Sequence, residues 1–165
     1  ENLSPQVKES TYGKSVATFL GYHQSVKIGD MAEDFKLFDI DGKMVSLKNF
    51  KNKYLLVDFW AASCGSFRIE NKNLVTYYKQ YKNKGLEIIS ISTDINPKMW
   101  KSATKEDLIT WSSLQDSKDV NGHVRLKYGV KFIPANFIIE PSGKIIAMNL
   151  HGEELAEKLG ELLNE

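Results

Sequence analysis

The stretch VDFWAASCGSFRIE, Val57 to Glu70, holds the only cysteine of the chain. An apolar, strand-like run ends at two alanines and a serine. Cys64-Gly65 then opens a segment with helical spacing. Many redox proteins carry a Cys-x-x-Cys pair at such a junction, but here the fourth position is Phe67. The remainder of the chain decides what one cysteine can do at that place.

Immediately upstream, KYLLVDFW (Lys53–Trp60) is short, nearly continuous in apolar residues and bounded by polar ones, the pattern of a strand buried on both faces. From Cys64 to about Lys82 the spacing of Phe67, Leu74, Tyr78 and Tyr81 predicts a helix, which Gly85 closes. LEIISIST (Leu86–Thr93) is a second buried strand. Strand, helix and strand with short connections form a βαβ unit, so the two strands pair in parallel.

Further out, FKLFDIDGKMVSL alternates around Asp41-Gly42 and predicts a β-hairpin. DIDG lacks the later oxygen ligands and the terminal glutamate of a calcium loop. SLKNF reads as a helical turn capped by Ser46. Downstream, Asn96 to about Lys105 is a helix with Pro97 near its start, ITWSSLQD an edge strand, and DVNGHVRLKYGV a broken helix ending at Gly129. PANFIIEPSGKIIAMNL forms two strands around Pro141-Ser142-Gly143, and GEELAEKLGELLNE an amphipathic helix with Leu155, Leu159, Leu162 and Leu163 inward. Residues 1–27 read as a helical extension docked on the domain: Ser4 and Pro5 suit a helix start, and Val16, Phe19, Leu20 and His23 share one face. The predicted class is α/β, a mixed central sheet with helices on both faces, over residues 28–165.

Composition narrows the function. The 165 residues suit one domain with a proper core. A net charge of +1 gives no reason to expect nucleic acid or an anionic membrane as partner. The basic run Lys79–Lys84 falls where a helix ends, and positive charge there suits the helix dipole. One cysteine rules out an intrachain disulfide and a cysteine-rich zinc site, and the three histidines show no ligand spacing, so no metal or other cofactor is expected. No apolar run reaches the roughly 18 residues a membrane-spanning helix needs. The start at Glu1 reads as a processed or trimmed end, so a targeting signal upstream would lie outside this sequence.

Three features carry chemistry. Ligand chemistry in open α/β sheets collects at the carboxyl ends of strands, where helix N-termini point. Cys64 is predicted there, and backbone N–H groups with the helix dipole lower a thiol pKa below its ordinary value of about 8.5. Asp58 interrupts an apolar strand, on the same face as Leu56 and Trp60; burial raises its pKa and makes it a proton donor or acceptor beneath the helix start. Glu70 reads as a surface charge. Pro134 stands at the head of a strand, where a proline does not break the ladder.

Together these features resemble the thioredoxin superfamily. VDFWAASCGSF is similar to the motif V-D-F-W-A-x-W-C-G-P-C, matched at Val57, Asp58, Phe59, Trp60, Ala61, Cys64 and Gly65. GDMAEDFKLFDIDGKMVSLKNF, GLEIISISTD and YGVKFIPANFIIEPSGKII resemble the TlpA/ResA-like branch of extracytoplasmic thiol–disulfide oxidoreductases with a redoxin-type domain. The resemblance runs from about Ile28 to the C-terminus. It implies that Cys64 is the attacking thiolate, Asp58 the buried acid and Pro134 a cis-proline beside the site. It implies that Trp60, Ser63, Gly65, Ser66 and Phe67, with Ile133 and Pro134, line the substrate site. The backbone at Ile133 would then pair with an extended segment. Glu70 matches the glutamate of C-x-x-C-x-x-E in this branch. The N-terminal helices resemble the linker preceding such domains in longer surface or periplasmic proteins, and the implied location is extracytoplasmic.

The departures from the motif set the mechanism. Phe67 stands where the resolving cysteine belongs, Ser66 where proline often lies, and Ser63 where tryptophan usually lies. An ordinary dithiol reductase is therefore excluded. One expectation is a monothiol oxidoreductase that forms a mixed disulfide with protein disulfides and waits for an external thiol. The other is a redox-inactive module whose groove between the Cys64 loop and Ile133-Pro134 holds an extended peptide, with Phe67 in its floor. The Pro-x-x-x-Thr-x-x-Cys arrangement of a peroxide pocket is absent before Cys64.

Overall fold

A computed structural model describes residues 4, 6, 7, 10, 26–116 and 123–164 of the chain. Its centre is a five-stranded sheet in the order β5-β4-β3-β6-β7. The strands are β3 (Tyr54–Trp60), β4 (Leu86–Ser92), β5 (Ser112–Gln115), β6 (Ala135–Ile139) and β7 (Ile145–Met148). β3, β4 and β5 run parallel, whereas β6 pairs antiparallel with both β3 and β7. The predicted βαβ unit, the edge position of ITWSSLQD and the last hairpin are all present.

Helix α1 (Gly65–Tyr81) joins β3 to β4, α2 (Pro97–Glu106) joins β4 to β5, and α3 (Val124–Lys127) precedes β6. Helix α4 (Gly152–Leu163) closes the fold. The ends follow local chemistry. Asn96 caps α2 by accepting the Lys98 N–H, with Pro97 just inside the helix. Past α1 a short 3₁₀ turn, Lys82–Lys84, ends at Gly85, whose φ of 99° is the left-handed conformation glycine adopts without cost.

Ahead of the sheet, β1 (Lys36–Phe38) and β2 (Met44–Ser46) form the predicted hairpin. Its turn is held by the Asp39 carboxylate, which accepts the N–H groups of Asp41 and Lys43 at 3.0 and 2.8 Å. That carboxylate works as a turn device. Ser46 then caps the 3₁₀ turn Leu47–Phe50 with a reciprocal bond from Asn49. Of the N-terminal extension, Ser4 Oγ accepts the Val7 N–H at 3.4 Å. Residues 11–25, including the face of Val16, Phe19, Leu20 and His23, lie outside the described residues, as do residues 117–122 of the broken helix.

Strand alternation divides the core in two. Leu55, Val57 and Phe59 point to one face with Ile89, Ile91, Leu114 and Phe137, where the hairpin and α3 cover them. Phe59, Tyr128 and Phe137 meet there edge-on or tilted, with centroids 5.1–6.0 Å apart. Leu56, Ile88 and Ile138 point to the other face, beneath Leu74 and Tyr81 of α1 and Leu155, Leu159 and Leu163 of α4. Trp60 extends that face into a smaller cluster with Trp100 and Ala103 of α2.

Candidate active site

The site is built at the carboxyl end of β3. After Trp60 the chain turns sharply, the Cys64 N–H donating to the Ala61 carbonyl at 3.3 Å. Cys64 is extended (φ −109°, ψ 114°) and occupies the N-cap of α1, and its carbonyl accepts the Phe67 N–H at 3.2 Å. The residue is half-buried. Ser63 and Gly65 on either side are exposed, and a Cβ at Gly65 would meet open space. Ser66 lies in the first turn of α1.

Beneath this turn a row of polar residues crosses the sheet. Ser113, Ser90, Asp58 and Asn136 stand side by side in register, all buried on the α1 face. Most of the row is satisfied internally. Ser113 Oγ accepts the Trp100 indole N–H and Ser90 Oγ that of Trp111, each at 2.8 Å. The Asn136 amide exchanges bonds with the backbone of Leu150. Asp58 is the titratable member, 5% exposed. Burial, and secondarily the charge of Glu70, push its carboxyl up to about 7.

Glu70 differs from the sequence expectation. Instead of facing solvent as a surface charge it is half-buried, accepting the N–H of Gly152 at 3.3 Å at the start of α4 and an Asn73 amide N–H at 3.1 Å. The positive end of α4 thus holds the carboxylate whose field acts on Asp58. Eighty-two residues separate Glu70 from Gly152, so no local pattern announces the contact.

Two expected lining residues are placed elsewhere. Trp60 is 1% exposed and supports the loop from below, with no surface for a substrate to touch. Phe67 turns inward on the same side, packing against the cluster of Trp60, Trp100 and Ala103. Ile133 packs against the opposite cluster around Phe59 and Phe137, so Phe67 and Ile133 do not form one groove floor. The Ile133–Pro134 peptide is cis. Pro134 is exposed and edges a cavity of about 280 Å³ that reaches back to Tyr128, Val130 and Met148; Phe132 beside it is 84% exposed. A larger cavity, about 370 Å³, opens near Lys53 and Leu55, at the opposite end of β3 from Cys64.

Residues the sequence reading passed over hold the loop from the side. Thr93 donates to the Trp60 carbonyl from both its N–H (2.9 Å) and its hydroxyl (3.2 Å). Asp94 Oδ2 accepts the Ala62 N–H and the Ser92 hydroxyl, each at 2.7 Å. The signal available in the sequence was an aspartate at the exit of β4, just ahead of Asn96-Pro97. Among the described residues no helix is long and apolar enough to cross a membrane.

Known proteins are similar to this chain in sequence and fold. The sequence profile of the AhpC/TSA family matches residues 28–148. The chain is 31% identical over 148 residues to the thiol-disulfide oxidoreductase ResA of Bacillus cereus, covering 89% of this chain and 83% of that protein. Against ResA of Bacillus thuringiensis subsp. konkukian the identity is 32% over 143 residues, 86% of this chain and 80% of that one. The thioredoxin domain of a thiol-disulfide oxidoreductase from Bacteroides vulgatus superposes with a TM-score of 0.79 at 36% identity, covering 85% of this chain and 100% of that one. A thiol:disulfide interchange protein from Bacteroides sp. also gives 0.79, at 35% identity over 86% and 93% of the two chains. On the profile match, the ResA identities and the shared fold, the chain belongs to the AhpC/TSA family as a ResA-like domain of the thioredoxin superfamily.

Proposed function

We propose that this domain is a thiol–disulfide oxidoreductase of monothiol type, acting through Cys64. The observation that carries the reading is the half-exposed Cys64 at the N-cap of a 17-residue helix, directly after the strand that buries Asp58. The positive end of the helix dipole favours a thiolate there. The Cys64 thiolate attacks one sulfur of a partner's disulfide. A Cys64–partner disulfide forms, the old S–S bond breaks, and the other partner sulfur leaves as a thiolate that takes up a proton. Asp58, its carboxyl raised by burial to about 7, supplies a proton store beneath the loop. An external small thiol then attacks the mixed disulfide at the partner's sulfur. Cys64 returns as a thiolate, and the partner carries a disulfide to the small thiol; a second such thiol completes its reduction.

The reading takes residues 28–165 as the working domain and 1–27 as an extension, supported by the family match that begins at residue 28. Protein disulfides are the substrates, since thiol-disulfide oxidoreductases are the relatives. Ser63, Gly65 and Ser66, with Ile133 and Pro134, flank the incoming segment. The extracytoplasmic location implied by the resemblance belongs to the same reading.

A second reading is favoured by the packing of Phe67 against Trp60 and Trp100, which makes the resolving position part of the core. In it the domain binds extended peptides along Ile133-Pro134 without redox chemistry. Trapping separates the two. A disulfide-containing partner captured on the native protein, and lost in Cys64→Ser, is the expected result. Peptide binding that persists unchanged in Cys64→Ala, with no covalent adduct on the native protein, would replace the first reading by the second.

A further inference from the structure

The loop that presents Cys64 is gripped at Ala62 by the side chain of Asp94, which lies just past the end of β4. Between Trp60 and Cys64 the backbone leaves the ladder, so the N–H of Ala62 has no strand partner to turn to. Asp94 fills that need: its Oδ2 accepts the Ala62 N–H at 2.7 Å. The same oxygen accepts the hydroxyl of Ser92, a wholly buried residue, at 2.7 Å, and the Asp94 N–H donates back to that hydroxyl at 3.1 Å. The Asp94 carbonyl is in turn held by the Gln115 side-chain amide at 2.9 Å, from the end of β5. A chain of bonds therefore runs from β5 through Asp94 to Ala62, two residues before the thiol. Bonds that accept on a carboxylate are about twice as strong as neutral ones, and the Ala62 N–H bond is at the short end of its range.

We propose that Asp94 is the positioning residue for Cys64: by gripping the Ala62 amide it holds the turn of residues 61–64 so that the thiol stays at the N-cap of α1. Resting on the oxidoreductase reading, the assignment adds a residue that acts on the reacting sulfur only through the backbone. Loss of the grip lets residues 61–63 re-route, and Cys64 leaves the positive end of the α1 dipole, which favours a thiolate. What matters is the acceptor oxygen. Asparagine offers one in the same place and alanine none.

The test is the pH dependence of Cys64 alkylation by iodoacetamide in the native protein, Asp94→Ala and Asp94→Asn, with circular dichroism confirming the fold. Both substitutions remove the Asp94 negative charge, a loss that by itself lowers a nearby thiol pKa, so they are compared with each other: the midpoint of Asp94→Ala is expected about half a pH unit or more above that of Asp94→Asn. A merely structural role lowers the melting temperature without separating the two midpoints. A folded Asp94→Ala whose midpoint is no higher than that of Asp94→Asn overturns the proposal. Should Asp94→Ala not fold, Ser92→Ala removes the second donor to the same oxygen: a smaller rise supports the assignment and none overturns it. The oxidoreductase reading fails separately, by a native midpoint at or above the ordinary value, or by the absence of a trapped partner.

Discussion

The two faces of the central sheet are built from the same strands and do different work. One, carrying Leu55, Val57, Phe59, Ile89, Ile91 and Phe137, is apolar through its buried centre and closed by aromatic contacts. The other is crossed in register by Ser113, Ser90, Asp58 and Asn136, with Trp60 and Ser92 one step nearer the thiol. An apolar face tolerates no gap, because nothing but packing holds it. A polar row tolerates no missing partner, because each buried group needs one. The difference teaches where this fold accepts chemistry: on the face where helix α1 starts and where a titratable group stands between Ser90 and Asn136, both hydrogen-bonded.

Breaking the apolar face should have the largest effect. Phe137→Ala removes a ring 2% exposed that meets both Phe59 and Tyr128, and is expected to cost about 3–5 kcal/mol in denaturant unfolding. The pH midpoint of Cys64 alkylation in the folded fraction should stay where it is. A moved midpoint would mean that the two faces are not separate in function.

Asp58→Asn attacks the other face and has a definite sign. The folded protein holds the Asp58 proton up to about pH 7, and the unfolded chain releases it near 3.8. Between those values the folded state binds more protons, so stability is full below about pH 4, falls as pH rises through 7 and then levels. At about 1.4 kcal/mol per pH unit the ionised carboxylate costs up to about 4 kcal/mol at pH 8. The asparagine variant should remove that slope, gaining stability at pH 8 and none at pH 4. Parallel stability–pH curves for the two proteins would show that Asp58 does not carry this cost.

Ser113→Ala tests the polar row at a member with no expected chemical role. It takes the acceptor from the Trp100 indole and a partner from Thr104, so a loss of about 1–3 kcal/mol is expected by thermal or denaturant unfolding. Trapping of a partner at Cys64 should be unaffected. No loss of stability would show that the buried indole finds another acceptor.

These contrasts also mark what could be read from the chain. Elements were legible wherever the signal is local: the alternating run around Asp41-Gly42, the Asn96-Pro97 helix start, the spacing of Leu74, Tyr78 and Tyr81. Asp58 was legible because a carboxylate inside LLVDFW is anomalous by itself. The polar row was not, since it exists only once four strands from distant parts of the chain are set in register. Glu70 looked like a surface charge because Gly152, its partner, lies 82 residues away. Phe67 was read through the motif it interrupts, whereas its surroundings come from α2 and the end of β3. Asp94 escaped because its partner is a backbone amide, which leaves no mark on the identity of residue 62.

The tryptophans add an optical side to this anatomy. All three are shielded from water, at 1%, 2% and 7% exposure for Trp60, Trp100 and Trp111. The indoles of Trp100 and Trp111 are bonded to serines of the polar row, whereas the Trp60 indole N–H is buried without a hydrogen-bond partner among the described residues. Intrinsic emission therefore comes from three dry rings, and the ring lacking a polar contact is the one that underlies the Cys64 turn. Any adduct that displaces the turn and admits water to Trp60 would redden and dim the emission, so the protein carries a label-free fluorescent gauge of its own thiol.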